Sequence, residues 1–218
     1  MREDDADRLA AESLAAGDPT GWFDRLYREA ARGAAVVPWE RSAPHGLLVD
    51  WTSVHHVAGD GRRAVVVGCG YGRDAEHLAG LGFTTVAFDI SPTAVAAARE
   101  RHPGSAVDYR AADLLDTPAP WRHGFDLVVE SMTVQALPLG LRSAATAAVG
   151  ELVAPGGSLL VIAAGRGDDD TRPAGPPWPL TRAEVDAFAA GGLTPARVEH
   201  FLDPEGVRRW RAEFRRAA

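Results

Sequence analysis

The chain has 218 residues, 46% hydrophobic and 24% charged, with one Cys and a formal net charge of −7. That balance excludes a disordered acidic chain, and the length suits one full core better than two. No run nears the ~18 apolar residues of a membrane span, a lone Cys69 allows no internal disulfide, and the acidic surface argues against nucleic acid or an anionic membrane as partner.

In chain order, Met1-Arg-Glu-Asp-Asp is too acidic for a secretory or mitochondrial leader, which predicts a cytoplasmic protein. Residues 3–16 make a weakly amphipathic helix ended by Gly17-Asp18-Pro19. Residues 20–32 place Trp22, Phe23, Leu26, Tyr27 and Ala30 on one helical face. Pro38-Trp39-Glu40 reads as a loop, and 44–57 as a third helix carrying Leu47, Leu48, Trp51 and Val54. His45, His55 and His56 fall in that helix and read as surface or satisfied core residues. Residues 1–60 are thus expected to be a helical lid segment of the same domain as a 61–218 core.

After Gly59-Asp60-Gly61 the pattern changes. Ala64–Val67 is a short β-branched run of the kind buried on both faces. Gly70-Tyr71-Gly72 opens a helix to residue 79, stopped by Gly80-Leu81-Gly82, and Thr84–Phe88 is a second strand ending at Asp89. Ser91 caps the next helix, 93–101, with Pro92 at its first position. Strands follow at Val107–Arg110 and Phe125–Val129. A helix over 139–153 is halted by Pro155-Gly156-Gly157 before a strand at Ser158–Ala163. Alternation of this kind predicts right-handed βαβ units and a parallel sheet. The tail breaks the rhythm. Thr181 and Glu184 form a capping box for a helix over 181–190, and Val198–Leu202 with Val207–Phe214 reads as a hairpin joined through Asp203-Pro-Glu-Gly206.

Val67-Gly68-Cys69-Gly70-Tyr71-Gly72 joins the first strand to its helix, where glycines permit a sharp turn and close approach of a ligand. Asp89 lies 21 positions beyond Gly68, at the end of the second strand, where a carboxylate can accept ribose hydroxyls. The pair predicts a nucleoside cofactor at the switch point of an open α/β sheet. Dinucleotide oxidoreductases want G-x-G-x-x-G, whereas position 73 here is Arg and the spacing is G-x-G-x-G.

With Ala111-Ala112-Asp113-Leu114, then Phe125–Glu130, then Pro155-Gly156-Gly157, the chain resembles the class I S-adenosylmethionine-dependent methyltransferases across residues 61–165. The resemblance implies an α/β, Rossmann-like, seven-stranded and mostly parallel sheet in the order 3-2-1-4-5-7-6. Helices would cover both faces, with the helical segment in front. It implies S-adenosylmethionine as cofactor and S-adenosylhomocysteine as product. Gly68, Cys69, Gly70 and Gly72 would line the methionine part and Asp89 the ribose. Ile90 and Ser91 would border the adenine on one side, Asp113 and Leu114 on the other. Glu130 and Ser131 would sit at the methyl-transfer face, with Glu130 the candidate base. Trp22–Tyr27, Pro38-Trp39-Glu40 and the Cys-containing loop also resemble the thiopurine, thiol and halide methyltransferases, although Val67 stands where that group has Pro. In this reading Trp39 is a lid over the sulfonium, while Trp22, Phe23, Tyr27, Gln135 and Trp178 border a small-molecule acceptor.

Methyl transfer of this type is an in-line displacement, and alignment of two reactants contributes about 7–11 kcal/mol. A thiol, partly ionised at neutral pH, needs little beyond a dry pocket, whereas an alcohol or amine asks more of a base. A thiol-like acceptor is therefore favoured. The alternatives are an oxygen or nitrogen atom of a secondary metabolite, a non-catalytic cofactor-binding regulator and a nicotinamide-linked oxidoreductase. Asp168-Asp169-Asp170 reads as a solvated loop, so no metal site is expected; Pro173–Pro179 reads as a flap.

Overall fold

The computed structural model describes residues 4–171, 173, 175–203 and 206–218. Parts of two predicted features, Ala174 in the flap and Pro204-Glu205 in the hairpin turn, lie outside that set, as do Met1–Glu3. Seven strands form one sheet: β1 (Arg63–Val67), β2 (Thr84–Asp89), β3 (Asp108–Ala111), β4 (Phe125–Ser131), β5 (Val153–Ala164), β6 (Leu193–Leu202) and β7 (Arg208–Arg216). Their order is β3-β2-β1-β4-β5-β7-β6, as the resemblance implies. Strands β1 to β5 pair in parallel, and β7 runs antiparallel to both β5 and β6.

Alternation along the strands divides the core. Val65, Val67, Phe88, Val128 and Val161 face one side, where α6 (Leu139–Glu151) contributes Ala145 and Val149, and α7 (Arg182–Asp186) contributes Val185. Ala64, Val66, Ala87, Val129 and Ile162 face the other. There α3 (Gly46–Val54) supplies Leu48 and Trp51, α4 (Arg73–Gly80) supplies Ala75 and Leu78, and α5 (Pro92–Arg101) supplies Val95 and Ala98. Helices thus cover both faces, which is why the buried stretches of the central strands, Ala64–Val67 and Leu127–Val129, are continuously apolar.

The first two helices, α1 (Asp4–Ala15) and α2 (Gly21–Ala31), build a separate apolar cluster from Leu9, Ala10, Trp22, Leu26 and Tyr27. It docks on Ala94 of α5. Polar bonds fix the same junction: Asp24 of α2 accepts from Ser91 Oγ at 2.7 Å and from the Thr93 N–H at 3.2 Å. Ser91 in turn accepts from the Ala94 N–H at 3.0 Å, the predicted N-cap.

Three of the boundaries that differ from the sequence reading stand out. Pro155-Gly156-Gly157 lies inside β5, whose first residue is Val153, and the pairing with β4 shifts register between Phe125 and Leu127. The capping box at Thr181 is present, but its helix ends at Asp186. Strand β6 begins at Leu193, five residues before the predicted start. No helix among the described residues is long and apolar enough to cross a membrane.

Candidate active site

A cavity of about 190 Å³ opens at the carboxyl ends of β1, β2 and β4. Its floor is the turn after β1. Gly68 (φ +60°) and Gly72 (φ +86°) adopt left-handed backbone that only glycine accepts readily, and no side chain fits at either. A Cβ on Gly68 would lie 2.3 Å from Thr133 Oγ1, and one on Gly72 would lie 2.3 Å from the Tyr109 hydroxyl. Gly72 also ends the turn as the N-cap position of α4, and it does not itself line the cavity.

Asp89, the last residue of β2, is buried and lines the cavity. Its Oδ2 accepts from the Gly70 N–H and its Oδ1 from the Ser91 N–H, both at 2.9 Å. One carboxylate therefore holds the glycine loop and the start of α5 together. Burial pushes its pKa up to about 6, against the pull of those N–H donors. Desolvation in the loop pushes the half-buried Cys69 thiol well above its ordinary range, and the Asp89 charge acts in the same sense, so Cys69 is a neutral packing group.

Of the residues predicted from the sequence, Phe23, Tyr27, Trp39, Gly68, Cys69, Gly70, Asp89, Ile90, Asp113, Leu114, Ser131 and Gln135 line this one cavity. Trp39 donates its indole N–H to the Tyr27 hydroxyl at 2.9 Å and packs edge-on to Trp22, Phe23 and Tyr27. Asp113 caps a short turn, accepting from the Leu115 N–H at 2.8 Å.

Trp22, Ser91, Glu130 and Trp178 do not line it, and for each a structural reason is visible. Trp22 is wholly buried behind Phe23, stacked at 4.0 Å, because the aromatic face of α2 turns partly into the α1–α2 core. Ser91 is occupied as cap and as partner of Asp24. Trp178 is buried with its backbone bonded to the Gln135 carbonyl and to the Arg142 guanidinium. Glu130 is buried under the site: Oε1 accepts from the Thr133 N–H at 2.8 Å and the Val134 N–H at 2.9 Å. Burial raises its pKa to about 7. The side chain holds the turn that carries Thr133, which in turn fills the space beneath Gly68.

Asp74 and His45 line the cavity as well. Asp74, in the first turn of α4, accepts from the His45 backbone N–H at 2.8 Å; burial raises its pKa. His45 lines the cavity too, as the N-cap of α3 rather than a residue within it. Histidine is not among the favoured N-caps, so no sequence signal marked it. In the acidic loop, Asp170 accepts from the Gly167 N–H and pairs with Arg208 at 3.6 Å. Among the described residues no group of three His, Cys, Asp or Glu side chains could hold a metal ion.

Residues 64–157 match the family model described as a methyltransferase domain. A ubiquinone biosynthesis O-methyltransferase of Xanthomonas campestris pv. campestris is 32% identical over 149 residues, which cover 67% of this chain and 58% of that protein. The chain thus spans less than two thirds of the curated relatives' length. Among solved structures, a protein studied in the conversion of a disulfide bond into a thioacetal group during echinomycin biosynthesis superposes with a TM-score of 0.72 at 24% identity. The match covers 89% of this chain and 93% of that one. The 1,6-didemethyltoxoflavin-N1-methyltransferase of Burkholderia thailandensis, solved with 1,6-didemethyltoxoflavin and S-adenosylhomocysteine, superposes with a TM-score of 0.71 at 17% identity, covering 98% and 91%. Residues 64–157 thus match a methyltransferase domain, and the chain shares its fold with the solved structures to which it is similar.

Proposed function

We propose that the protein transfers a methyl group from S-adenosylmethionine to a small molecule. One observation carries this reading: the Gly68–Gly72 turn, with no room for side chains at Gly68 and Gly72, faces the same cavity as the Asp89 carboxylate at the end of the neighbouring strand. The residues present fit the cofactor. Gly68, Cys69 and Gly70 would receive its methionine part, Asp89 its ribose hydroxyls, and Ile90, Asp113 and Leu114 its adenine. Arg73, which lines the cavity directly after the loop and has an unpartnered buried Nε, suits the methionine carboxylate. Bound there, S-adenosylmethionine supplies an electrophilic methyl group. Residues 1–60 would act as the lid of the 61–218 core, with Phe23, Tyr27 and Trp39 excluding water and presenting aromatic faces to the sulfonium.

The protein's part is orientation and desolvation rather than proton abstraction. All four carboxylates lining the cavity are already engaged: Glu40 with Arg101, Asp74 with His45, Asp89 with Gly70 and Ser91, and Asp113 with Leu115. An acceptor that ionises readily suits such a site, so a thiol is favoured, as in the thiopurine, thiol and halide group whose Pro-Trp-acid segment Trp39 shares. An acidic phenol is the second reading, supported by the likeness to an O-methyltransferase of ubiquinone biosynthesis. Incubation with S-adenosylmethionine and a panel of aromatic thiols and phenols tests this, read as S-adenosylhomocysteine release. Calorimetric binding of S-adenosylhomocysteine, without binding of NAD(H), is expected. Failure of S-adenosylhomocysteine to bind would refute the proposal. Binding with silence across a broad panel would point to a regulator.

A further inference from the structure

Three side chains lining the cavity hold a buried polar atom without a partner among the described residues: His45 Nε2, Gln135 Nε2 and Arg73 Nε. All three are nitrogens. Arg73 Nε and the Gln135 amide nitrogen can only donate, and the surroundings of His45 make its Nε2 a donor as well.

His45 is 8% exposed. Its Nδ1 accepts from the Leu47 N–H at 3.2 Å, capping α3, so the single proton of the neutral ring sits on Nε2. Protonating the ring would set an Nδ1–H against the Leu47 N–H and break that cap. Burial and the charges of Arg41 and Arg209 act in the same sense, lowering its pKa to about 4; Asp74, which holds the His45 backbone N–H, does not reverse this. The only nitrogen with a lone pair is occupied, so His45 is a donor and cannot serve as a base.

Gln135 is 1% exposed and follows the same plan. Its Oε1 accepts from the Ala164 N–H at 2.6 Å, which fixes the amide orientation and leaves the NH2 unpaired. Its carbonyl accepts from the Trp178 N–H at 2.9 Å and from Arg142, so the backbone is pinned too. Both side chains are anchored through their accepting atom, one by β5 and one by α3, with donor hydrogens left over. A buried unpaired donor is costly, and a ligand that brings lone pairs to it satisfies the arrangement.

Resting on the methyltransferase reading above, and assigning Arg73 to the cofactor, we infer that the methylated substrate carries hydrogen-bond-accepting oxygen, carbonyl or phenolate-like, in addition to its nucleophilic atom, and that His45 and Gln135 are its donors. Such recognition selects against hydrocarbon analogues of the same shape.

The test has two readouts independent of turnover. Nitrogen-15 NMR of the imidazole should show His45 as the neutral Nε2–H tautomer from pH 5 to 9. Binding to the protein saturated with S-adenosylhomocysteine is then measured for matched fragments: 3-hydroxyacetophenone against 3-ethylphenol, and 3-acetylbenzenethiol against 3-ethylbenzenethiol. The carbonyl-bearing member of at least one pair should bind about tenfold more tightly. His45→Asn retains a capping acceptor for α3, and Gln135→Leu keeps the volume. Each should cut that preference to threefold or less while leaving S-adenosylhomocysteine affinity unchanged. An Nδ1–H tautomer, no pair separated by threefold, or a preference unchanged in both variants overturns the inference. Loss of S-adenosylhomocysteine binding by the unsubstituted protein instead sinks the underlying reading.

Discussion

If Asp89 receives the cofactor ribose, affinity must depend on pH in a way that this carboxylate alone sets. Its pKa of about 6 means that at pH 5 about one molecule in eleven holds it ionised. The protonated form has one accepting site fewer for ribose hydroxyls. Calorimetric S-adenosylhomocysteine affinity should therefore be level above pH 7 and about tenfold weaker at pH 5, with close to one proton released per ligand bound at the lower pH. Stability of the free protein moves the other way. A carboxyl whose folded pKa lies above its ordinary 3.8 binds the proton more tightly when folded, so its contribution falls as pH rises from about 4 to 6. Asp89→Asn separates this group from Glu130, which titrates nearby. The variant keeps one accepting oxygen for Gly70 or Ser91 but loses the charge. It should bind about 10- to 150-fold more weakly, the equivalent of ~1.5–3 kcal/mol for a charged hydrogen bond, and independently of pH. A flat profile in the unsubstituted protein, or an Asn variant that keeps the slope, refutes the ribose assignment.

Two further outcomes concern residues beneath the site. Glu130→Gln can still accept from Thr133 and Val134. Glu130's own contribution to stability falls as pH rises from about 4.5 to 7, so the variant should lose that part of the pH dependence of melting and keep turnover within about threefold. A hundredfold fall in kcat with normal cofactor affinity would instead make Glu130 the base. Asp24→Ala removes two bonds from α2 to the start of α5 and should lower stability by about 1–2 kcal/mol, or about 3–6 °C in Tm. An unchanged melting curve would refute the importance given to that junction.

The sheet was legible because its information is local. β-branched runs, glycine turns, the Ser91-Pro92 cap and the Thr181 capping box each announce themselves within a few residues, and their order gives the topology. Loop residues at strand ends, from Gly68 to Asp113, followed from the same frame. What stayed hidden depends on partners far along the chain. Trp22 and Phe23 share one helical face, yet only Phe23 reaches the cavity, because α1 covers Trp22. His45 became a cap through one backbone amide two residues away and a cavity wall through Asp74, 29 residues distant. Glu130 has the right address for a base, but the turn that follows β4 holds its Oε1 and the side chain lies under the cavity rather than on its wall. Pro155-Gly156-Gly157 looks like a break between elements and is absorbed by an irregular strand pairing.

The contact between Asp24 and Ser91 carries a consequence for engineering. Ser91 also donates its N–H to Asp89, so the outer helices and the acid behind the glycine loop share one intermediary. The front segment is thus not an interchangeable cover. Transplanting it from a relative to redirect specificity requires moving residues 91 and 93 with it; on the function proposed above, a chimera that ignores them would trade recognition of one compound for a loosened grip on the methyl donor.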